Sequence, residues 1–369
     1  MKIAICGGHL TPALAVIGEL KKRGIEDIIF IGREKSTEGD SASSAESMII
    51  PTLDIKFYAI SAGRLQRKFT RYTIPSLLKV PVGLTQALLI LSQEKPDIVV
   101  SFGSYVAFPV VVASWILGIP SITHEQTVKG GLANHLIARF AKKIAVSWPD
   151  SSNFFPKGKT VLTGNPIRQE ILNIKKKRTS KPVIFITGGN QGAHSLNEII
   201  LEILEPLLQK YEVIHQTGGA TKFKDYEMLN ARMLQLPQRF QNRYKPSKWL
   251  NSSDLVEVYS RTSLIVGRSG ANTVSEAAAV GIPALLIPLP WAGGGEQERN
   301  AEMLKELGAA LILPQDRLTP KRLLAAINFM IAKDREFKAA AKQAKKLIYP
   351  AASKNFVDEA LKLTEQNGS

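Results

Sequence analysis

The sequence is short of several things, and each shortage narrows what the protein can be. It has one cysteine, Cys6, which excludes an internal disulfide and a cysteine-rich zinc site and points to a reducing compartment. No metal triad is evident and no Asp-x-Asp string occurs, so neither a bound metal nor a cofactor is expected. Met1 and Lys2 lead directly into Ile3 to Cys6 and then Gly7-Gly8, an apolar run too short for a secretory signal, so the cytoplasm is expected. The stretch from Ile98 to Thr123 has no charged residue and is long enough to cross a membrane. Gly103, Pro109, Gly118 and Pro120 break it into strand, turn, helix and strand instead. Acidic residues are scarce against basic ones, 32 against 48, leaving a formal charge of +16. That surplus favours an anionic partner: nucleic acid, a phosphorylated substrate or acidic lipid. With no zinc-finger spacing, RNP-type aromatic stretch or arginine-rich repeat beside it, no nucleic acid partner is expected.

What is present is an α/β pattern. A chain of 369 residues, 44% hydrophobic and 22% charged, is too long for one ordinary core, and two domains of roughly 150 to 200 residues are expected, with a cleft between them. The opening reads as strand Ile3 to Cys6, a Gly7-Gly8-His9 turn, a helix from Pro12 to Arg23, Gly24 as its stop, and strand Ile28 to Ile31. Further strands at Ile98, Ser121, Ile144 and Val161 alternate with helical stretches, which favours a parallel sheet. After Arg168 the run Lys175-Lys176-Lys177-Arg178 has linker composition, and a second series starts at Val183 to Ile186. It continues through Gly188-Gly189-Asn190-Gln191-Gly192 into a helix, then strand Leu264 to Gly267, turn Arg268-Ser269-Gly270 and helix Ala271 to Val280. The expected fold class is α/β, two Rossmann-like doubly wound domains: 1–165 and 166–346, with a helix at about 347–369 packing back on the first. Ser36 to Ser44 reads as a mobile loop.

Glycine-rich turns between a strand and a helix bring backbone N–H groups and the positive helix end to one point, which suits a diphosphate. The same glycines also serve simply to turn the chain, and Gly7-Gly8-His9 lacks the full dinucleotide spacing, which disfavours a nicotinamide cofactor. The combination is more specific. Gly8-His9-Leu10-Thr11-Pro12-Ala13, Phe102-Gly103-Ser104-Tyr105, His124-Glu125-Gln126 and Thr163-Gly164-Asn165-Pro166-Ile167-Arg168 fall in order along the first half. Gly188 to Ala193, His215-Gln216, Arg268-Ser269-Gly270-Ala271, Thr273-Val274-Ser275-Glu276 and Gln297 before Asn300-Ala301 follow in the second. In these the chain resembles the MurG family of bacterial UDP-N-acetylglucosamine transferases, in glycosyltransferase family 28, over nearly its whole length.

The resemblance implies a GT-B fold, an acceptor-binding first domain and a UDP-sugar-binding second one. It implies transfer of N-acetylglucosamine from UDP-N-acetylglucosamine, with inversion, to the undecaprenyl-diphosphate-linked muramyl-peptide (lipid I), giving lipid II for peptidoglycan. On the donor side it implicates Gly7, Gly8, Arg168, Asn190, Leu250, Ala271, Asn272, Thr273, Val274, Ser275, Glu276 and Gln297. Glu276 sits about one and a half turns into a helix, where a carboxylate can accept hydrogen bonds from ribose hydroxyls; a solvated helix glutamate is the plainer alternative. Arg168 would pair with phosphate or form an interdomain salt bridge. On the acceptor side it implicates Tyr105, His124 and Asn134, with Thr127 at the donor/acceptor boundary. His9 is the first choice of general base, with a pKa suited to neutral pH, and Glu125 is the rival. His135, His194 and His215 are read as structural.

The chain also departs from the family pattern. The first glycine loop is short, Thr127 stands where Asn is usual, Asn190 where Ser is usual, and Ser101 and Ser104 replace glycines. Trp291 to Gly295 differs as well. Lys68, Arg71, Ile74, Leu77, Leu78 and Lys79, running on into Val82 to Leu91, read as a basic rim around an apolar patch, a membrane patch for peripheral binding to an anionic surface at the cytoplasmic face of the plasma membrane. A packed helix with a solvated basic side gives the same pattern. Two other functions stay open: sugar transfer to another membrane lipid such as diacylglycerol, which would share the fold and the basic patch but against which His124-Glu125-Gln126 and Gly164-Asn165-Pro166 speak, and non-catalytic UDP-sugar binding, which would keep Glu276 and Gln297 and leave His9 dispensable.

Overall fold

The computed structural model describes residues 1–35, 43–63, 73–189, 191–220, 223–291 and 295–365, with side chains in helix Thr73–Glu94 described from residue 79 onward. Asn190, Lys68 and Arg71, the side chains of Ile74, Leu77 and Leu78, and residues 36–42 of the serine-rich loop therefore lie outside the described residues. The chain divides into two compact units: Met1–Arg168 with Tyr349–Ser369, and Gln169–Ile348.

The first unit holds a seven-stranded sheet ordered β3-β2-β1-β4-β5-β6-β7, every pair parallel. Its strands are β1 (Ile3–Cys6), β2 (Ile28–Gly32), β3 (Lys56–Ala59), β4 (Ile98–Ser101), β5 (Ser121–Glu125), β6 (Lys143–Val146) and β7 (Thr160–Leu162). β1 shows why this order forms. Ile3 and Ile5 pack on one face with Val16, Leu20 and Phe356, while Ala4 and Cys6 pack on the other with Leu91, Val106 and Val110. Both faces of a parallel sheet are covered by crossover helices, so the strand is an unbroken apolar run rather than an alternating one. Each such aliphatic side chain contributes about 1.5–3 kcal/mol by burial. Helix Ala352–Glu365 completes this unit, its Phe356, Val357 and Ala360 joining the same core as Ile3.

The second unit holds a six-stranded parallel sheet ordered β10-β9-β8-β11-β12-β13. Here β8 is Val183–Thr187, β9 Glu212–Gln216, β10 Tyr244–Ser247, β11 Thr262–Gly267, β12 Ala284–Leu286 and β13 Ala310–Ile312. Two doubly wound sheets are the GT-B fold class expected from the sequence. Among the described residues no helix is long and apolar enough to cross a membrane. The uncharged stretch folds as β4, helix Ser104–Ile116 and β5, and Pro109 is accommodated inside the helix.

In both sheets the chain order reverses at one place, between β1 and β4 and between β8 and β11. At such a switch point the two following connections diverge to opposite faces, leaving a crevice at the carboxyl ends of the strands. The glycine turns stand there.

Candidate active site

In the first unit the turns after β1 and β4 are tied together: Phe102 N–H donates to the Cys6 carbonyl at 2.7 Å and Gly8 N–H to the Gly103 carbonyl at 3.3 Å. Gly103 and Ser104 both have positive φ, 63° and 69°, so the strand-to-helix turn holds a conformation that costs a serine about 1–3 kcal/mol. A Cβ on Gly103 would lie 2.6 Å from Asn134 Oδ1, so glycine is what admits Asn134 beside the turn. Ser101 supports it from within, taking the Gly103 N–H at 3.2 Å and pairing with the Thr123 hydroxyl at 3.0 Å.

His9 precedes helix Leu10–Lys22 but does not cap it. Its Nδ1 lies 2.6 Å from the Phe102 carbonyl. A carbonyl only accepts, so Nδ1 carries the proton and Nε2 keeps the lone pair in the neutral ring. Desolvation lowers the His9 pKa, opposed by the charge of Glu125 and the bond to Phe102, and Arg33 lowers it further. The ring is therefore neutral at neutral pH.

Glu125 is placed differently. Its Oε1 accepts from Thr127 N–H and the Thr127 hydroxyl, both at 2.7 Å, and its Oε2 from Asn134 Nδ2 at 2.7 Å and Gly131 N–H at 3.2 Å. Four donors on one buried carboxylate make it the anchor of the 126–131 loop. Thr127 thereby acquires a local reason: its hydroxyl donates to Glu125 and accepts from Gly130 N–H at 3.2 Å. Asn134 Oδ1 and Gln126 Oε1 are buried without a hydrogen-bond partner among the described residues.

His124, expected in the acceptor-side cluster, turns the other way, because successive residues of a strand point to opposite faces. Its ring lies among Phe102 and Phe356, each 5.9 Å away, with Nε2 3.1 Å from the Ser147 hydroxyl. Burial pushes its pKa down to about 3, so it is a neutral core histidine. Tyr105 stays at the turn, its hydroxyl accepting from Arg33 Nη1 at 3.2 Å. Arg33, the residue after β2, also donates from Nε to Glu46 Oε1 at 3.0 Å. Neither Arg33 nor Glu46 was singled out by motif; the available signal was a cation directly following a strand whose end faces the crevice.

In the second unit Gly192 (φ +83°) closes the turn after β8, and a Cβ there would fall 2.1 Å from the Thr217 carbonyl. Helix His194–Lys210 follows. After β11, Arg268 donates to the Ile287 carbonyl at 3.1 Å, to Gln315 Oε1 at 2.5 Å and to the Ser195 hydroxyl at 3.0 Å, joining the two turns. Burial lowers its pKa. Ser269 is wholly buried, with its hydroxyl unpartnered among the described residues, at the start of helix Ala271–Val280. That helix carries Asn272, Thr273, Val274, Ser275 and Glu276, and Tyr259 donates to Glu276 Oε2 at 2.7 Å. Gln297 Oε1 accepts from Leu289 N–H at 3.0 Å. Leu250 is half-buried just ahead of helix Ser252–Arg261. Arg168 is buried at the end of the first unit's main segment.

The remaining histidines are held by neighbours: His135 by the Lys129 carbonyl at 2.9 Å, His194 by Asp225 at 2.7 Å, and His215 by Tyr244 and Asn197 at 2.9 and 3.0 Å. Among the described residues no group of three His, Cys, Asp or Glu could hold a metal ion.

Two doubly wound sheets with glycine turns at both switch points define the GT-B fold class, and matches to family models make the chain a glycosyltransferase. Residues 6–146 match the glycosyltransferase family 28 N-terminal domain and residues 183–357 the glycosyltransferase family 28 C-terminal domain. Curated relatives named UDP-N-acetylglucosamine–N-acetylmuramyl-(pentapeptide) pyrophosphoryl-undecaprenol N-acetylglucosamine transferase are similar along almost all of their length. The one from Natranaerobius thermophilus is 34% identical, covering 94% of each chain, and that from Halalkalibacterium halodurans 32%, covering 96% of this chain and 97% of its own. The crystal structure of Acinetobacter baumannii MurG superposes with a TM-score of 0.69 at 28% identity, covering 98% of this chain and all of that one. A UDP-GlcNAc 2-epimerase from Neisseria meningitidis, 15% identical with a TM-score of 0.63 over 98% of this chain and all of its own, shares the fold. The chain belongs to glycosyltransferase family 28, in its MurG branch, and is a hexosyltransferase.

Proposed function

We propose that the chain transfers N-acetylglucosamine from UDP-N-acetylglucosamine to the muramyl hydroxyl of undecaprenyl-diphosphate-linked muramyl-peptide, making lipid II, with the first unit binding acceptor and the second binding donor. The observation that carries the acceptor assignment is His9: a neutral imidazole, fixed in its tautomer by Phe102, at the β1/β4 switch point. Its Nε2 takes the proton of the acceptor hydroxyl as that oxygen bonds to the anomeric carbon. The bond from that carbon to the diphosphate oxygen breaks, UDP leaves, and an α-linked sugar becomes β-linked. Glu276 receives ribose hydroxyls. The amides that open helices His194–Lys210 and Ala271–Val280, worth about 0.3–2 kcal/mol per helix end toward an anion, receive the leaving diphosphate, and Arg168 is the cation assigned to pair with it. Asn134 Oδ1 supplies a buried acceptor for a sugar hydroxyl.

The deciding assay offers the protein a panel of UDP-sugars with either the muramyl lipid or diacylglycerol and weighs the products. The muramyl lipid should gain one N-acetylhexosamine, from UDP-N-acetylglucosamine alone. Transfer to diacylglycerol only, or UDP binding with no transfer, would displace this reading.

Peripheral membrane binding at the cytoplasmic face, where nucleotide sugars are made, belongs to the same proposal. Support comes from apolar residues left exposed on the two adjoining helices Thr73–Glu94 and Ser104–Ile116: Leu89 is 58% and Trp115 59% exposed, with Val82 and Ile116 also open. Lys79 is exposed on the first of them. Charge reversal at Lys68 and Arg71 is expected to weaken binding to anionic vesicles by about thirtyfold or more, since each basic residue near such a surface contributes about 1 kcal/mol and two such contributions are lost. Transfer to a soluble acceptor analogue should persist. Vesicle binding equal to the parent's would remove the patch.

A further inference from the structure

Glu276 belongs to helix Ala271–Val280 and is 6% exposed. The terminal torsion of a glutamate is broad and roughly two-fold, so a carboxylate at the end of an unsupported side chain has no fixed plane. To accept hydrogen bonds from two vicinal hydroxyls at once it needs one. The second helix to reach it is Ser252–Arg261, whose Tyr259 is 2% exposed and donates its hydroxyl proton to Glu276 Oε2 at 2.7 Å, a hydrogen bond strengthened by the charge on the acceptor.

Tyr259 is itself held at both ends. Its ring meets Phe185 of β8 edge-on, 86° between planes with centroids 5.6 Å apart. Its carbonyl, in the last turn of the helix, accepts from Lys176 Nζ at 2.9 Å, and the same ammonium donates to the Thr262 carbonyl at 2.6 Å. A cation on the final carbonyls of a helix complements its negative end. The lysine-rich segment before the second unit's sheet is thus docked on this helix, also through Lys177 N–H to the Ser260 carbonyl at 2.9 Å.

We infer that Tyr259 is the positioning residue for ribose recognition by Glu276: it fixes the carboxylate plane, and so sets how strongly the protein distinguishes a uridine diphosphate with its 2′- and 3′-hydroxyls from one without them. This rests on the reading of Glu276 as the ribose ligand. It assigns Tyr259 no contact with substrate and no part in the transfer step.

The test measures binding of UDP and of 2′,3′-dideoxy-UDP, together with steady-state transfer, for the parent, Tyr259→Phe, Glu276→Ala and the double variant. Tyr259→Phe is expected to weaken UDP binding and raise KM for the donor about tenfold, the size of one charge-assisted hydrogen bond. Its kcat and its affinity for the dideoxy analogue should stay at parental values. In the Glu276→Ala background the same change should add nothing. Equal weakening of both nucleotides by Tyr259→Phe, or additive effects in the double variant, would reduce Tyr259 to a packing residue and overturn the inference. Glu276→Ala with undiminished UDP binding would instead refute the ribose reading itself. If Tyr259→Phe does not fold, 3-fluorotyrosine at position 259 keeps the ring and sharpens the donor. Tighter UDP binding with unchanged dideoxy binding then supports the inference, and unchanged UDP binding overturns it.

Discussion

His9→Ala is expected to lower kcat about 10³-fold, within the 10²–10⁴ that a positioned general base contributes, while UDP binding is unchanged. The ring is placed by a single short bond, Nδ1 to the Phe102 carbonyl at 2.6 Å, and alanine removes base and tether together. The pH profile supplies the sharper check. Desolvation lowers the folded-state pKa of His9. The base form is then complete at neutral pH, and its contribution disappears only as pH falls through that lowered value. The acid limb of kcat/KM should accordingly lie below the ordinary histidine value of about 6.5, and that limb should be missing in the alanine variant. A limb at the ordinary value, or full turnover by His9→Ala, would reassign the base.

Glu125→Ala is the second large effect, and it falls on stability. The substitution strips the acceptor from Thr127 N–H, the Thr127 hydroxyl, Gly131 N–H and Asn134 Nδ2 at once. A buried donor left unsatisfied costs about 1–3 kcal/mol; with partial rescue by water, a total loss of about 3 kcal/mol or more is expected. Chemical denaturation of the variant measures it. Acceptor KM should rise as well, because the 126–131 loop and Asn134 lose their anchor. Glu125→Gln is expected to fare little better, since its amide would turn a donor toward other donors. Should Glu125→Ala keep its stability, lose activity and shift the acid limb, the carboxylate and not the imidazole would be the base.

The two experiments separate residues that the sequence could only name as rivals. Both fall in short motif strings, Gly8-His9-Leu10 and His124-Glu125-Gln126, and both are chemically able to take a proton. The tautomer of His9 depends on Phe102 arriving from elsewhere in the chain, and the saturation of Glu125 on the way the following loop turns Gly131 and Asn134 back onto it; the order of residues carries no sign of either. His124 illustrates the same limit: a motif lists neighbours in order, but the pleat sends His124 between Phe102 and Phe356 and Glu125 to the loop. Arg33 escaped notice because its importance lies in position, after β2 and beside Tyr105, rather than in any local string.

The strands were legible where burial on both faces makes an apolar run, as in Ile3–Cys6, Ile98–Ser101 and Val183–Thr187. Two edge strands that lack such a run went unread. β3 (Lys56–Ala59) is an edge strand with exposed ends, and β10 (Tyr244–Ser247) carries Pro246, which an edge tolerates because one side needs no ladder bond. Local composition by itself determined the alternation of strand and helix, the glycine turns and the cationic surplus, since these follow from periodicity, φ freedom and charge. Only the tertiary structure decided which ionisable groups are desolvated, which are saturated with donors and which hold another in place, because those depend on how the chain folds back on each group, through Phe102 on His9 and through the turn from Thr127 to Asn134 on Glu125.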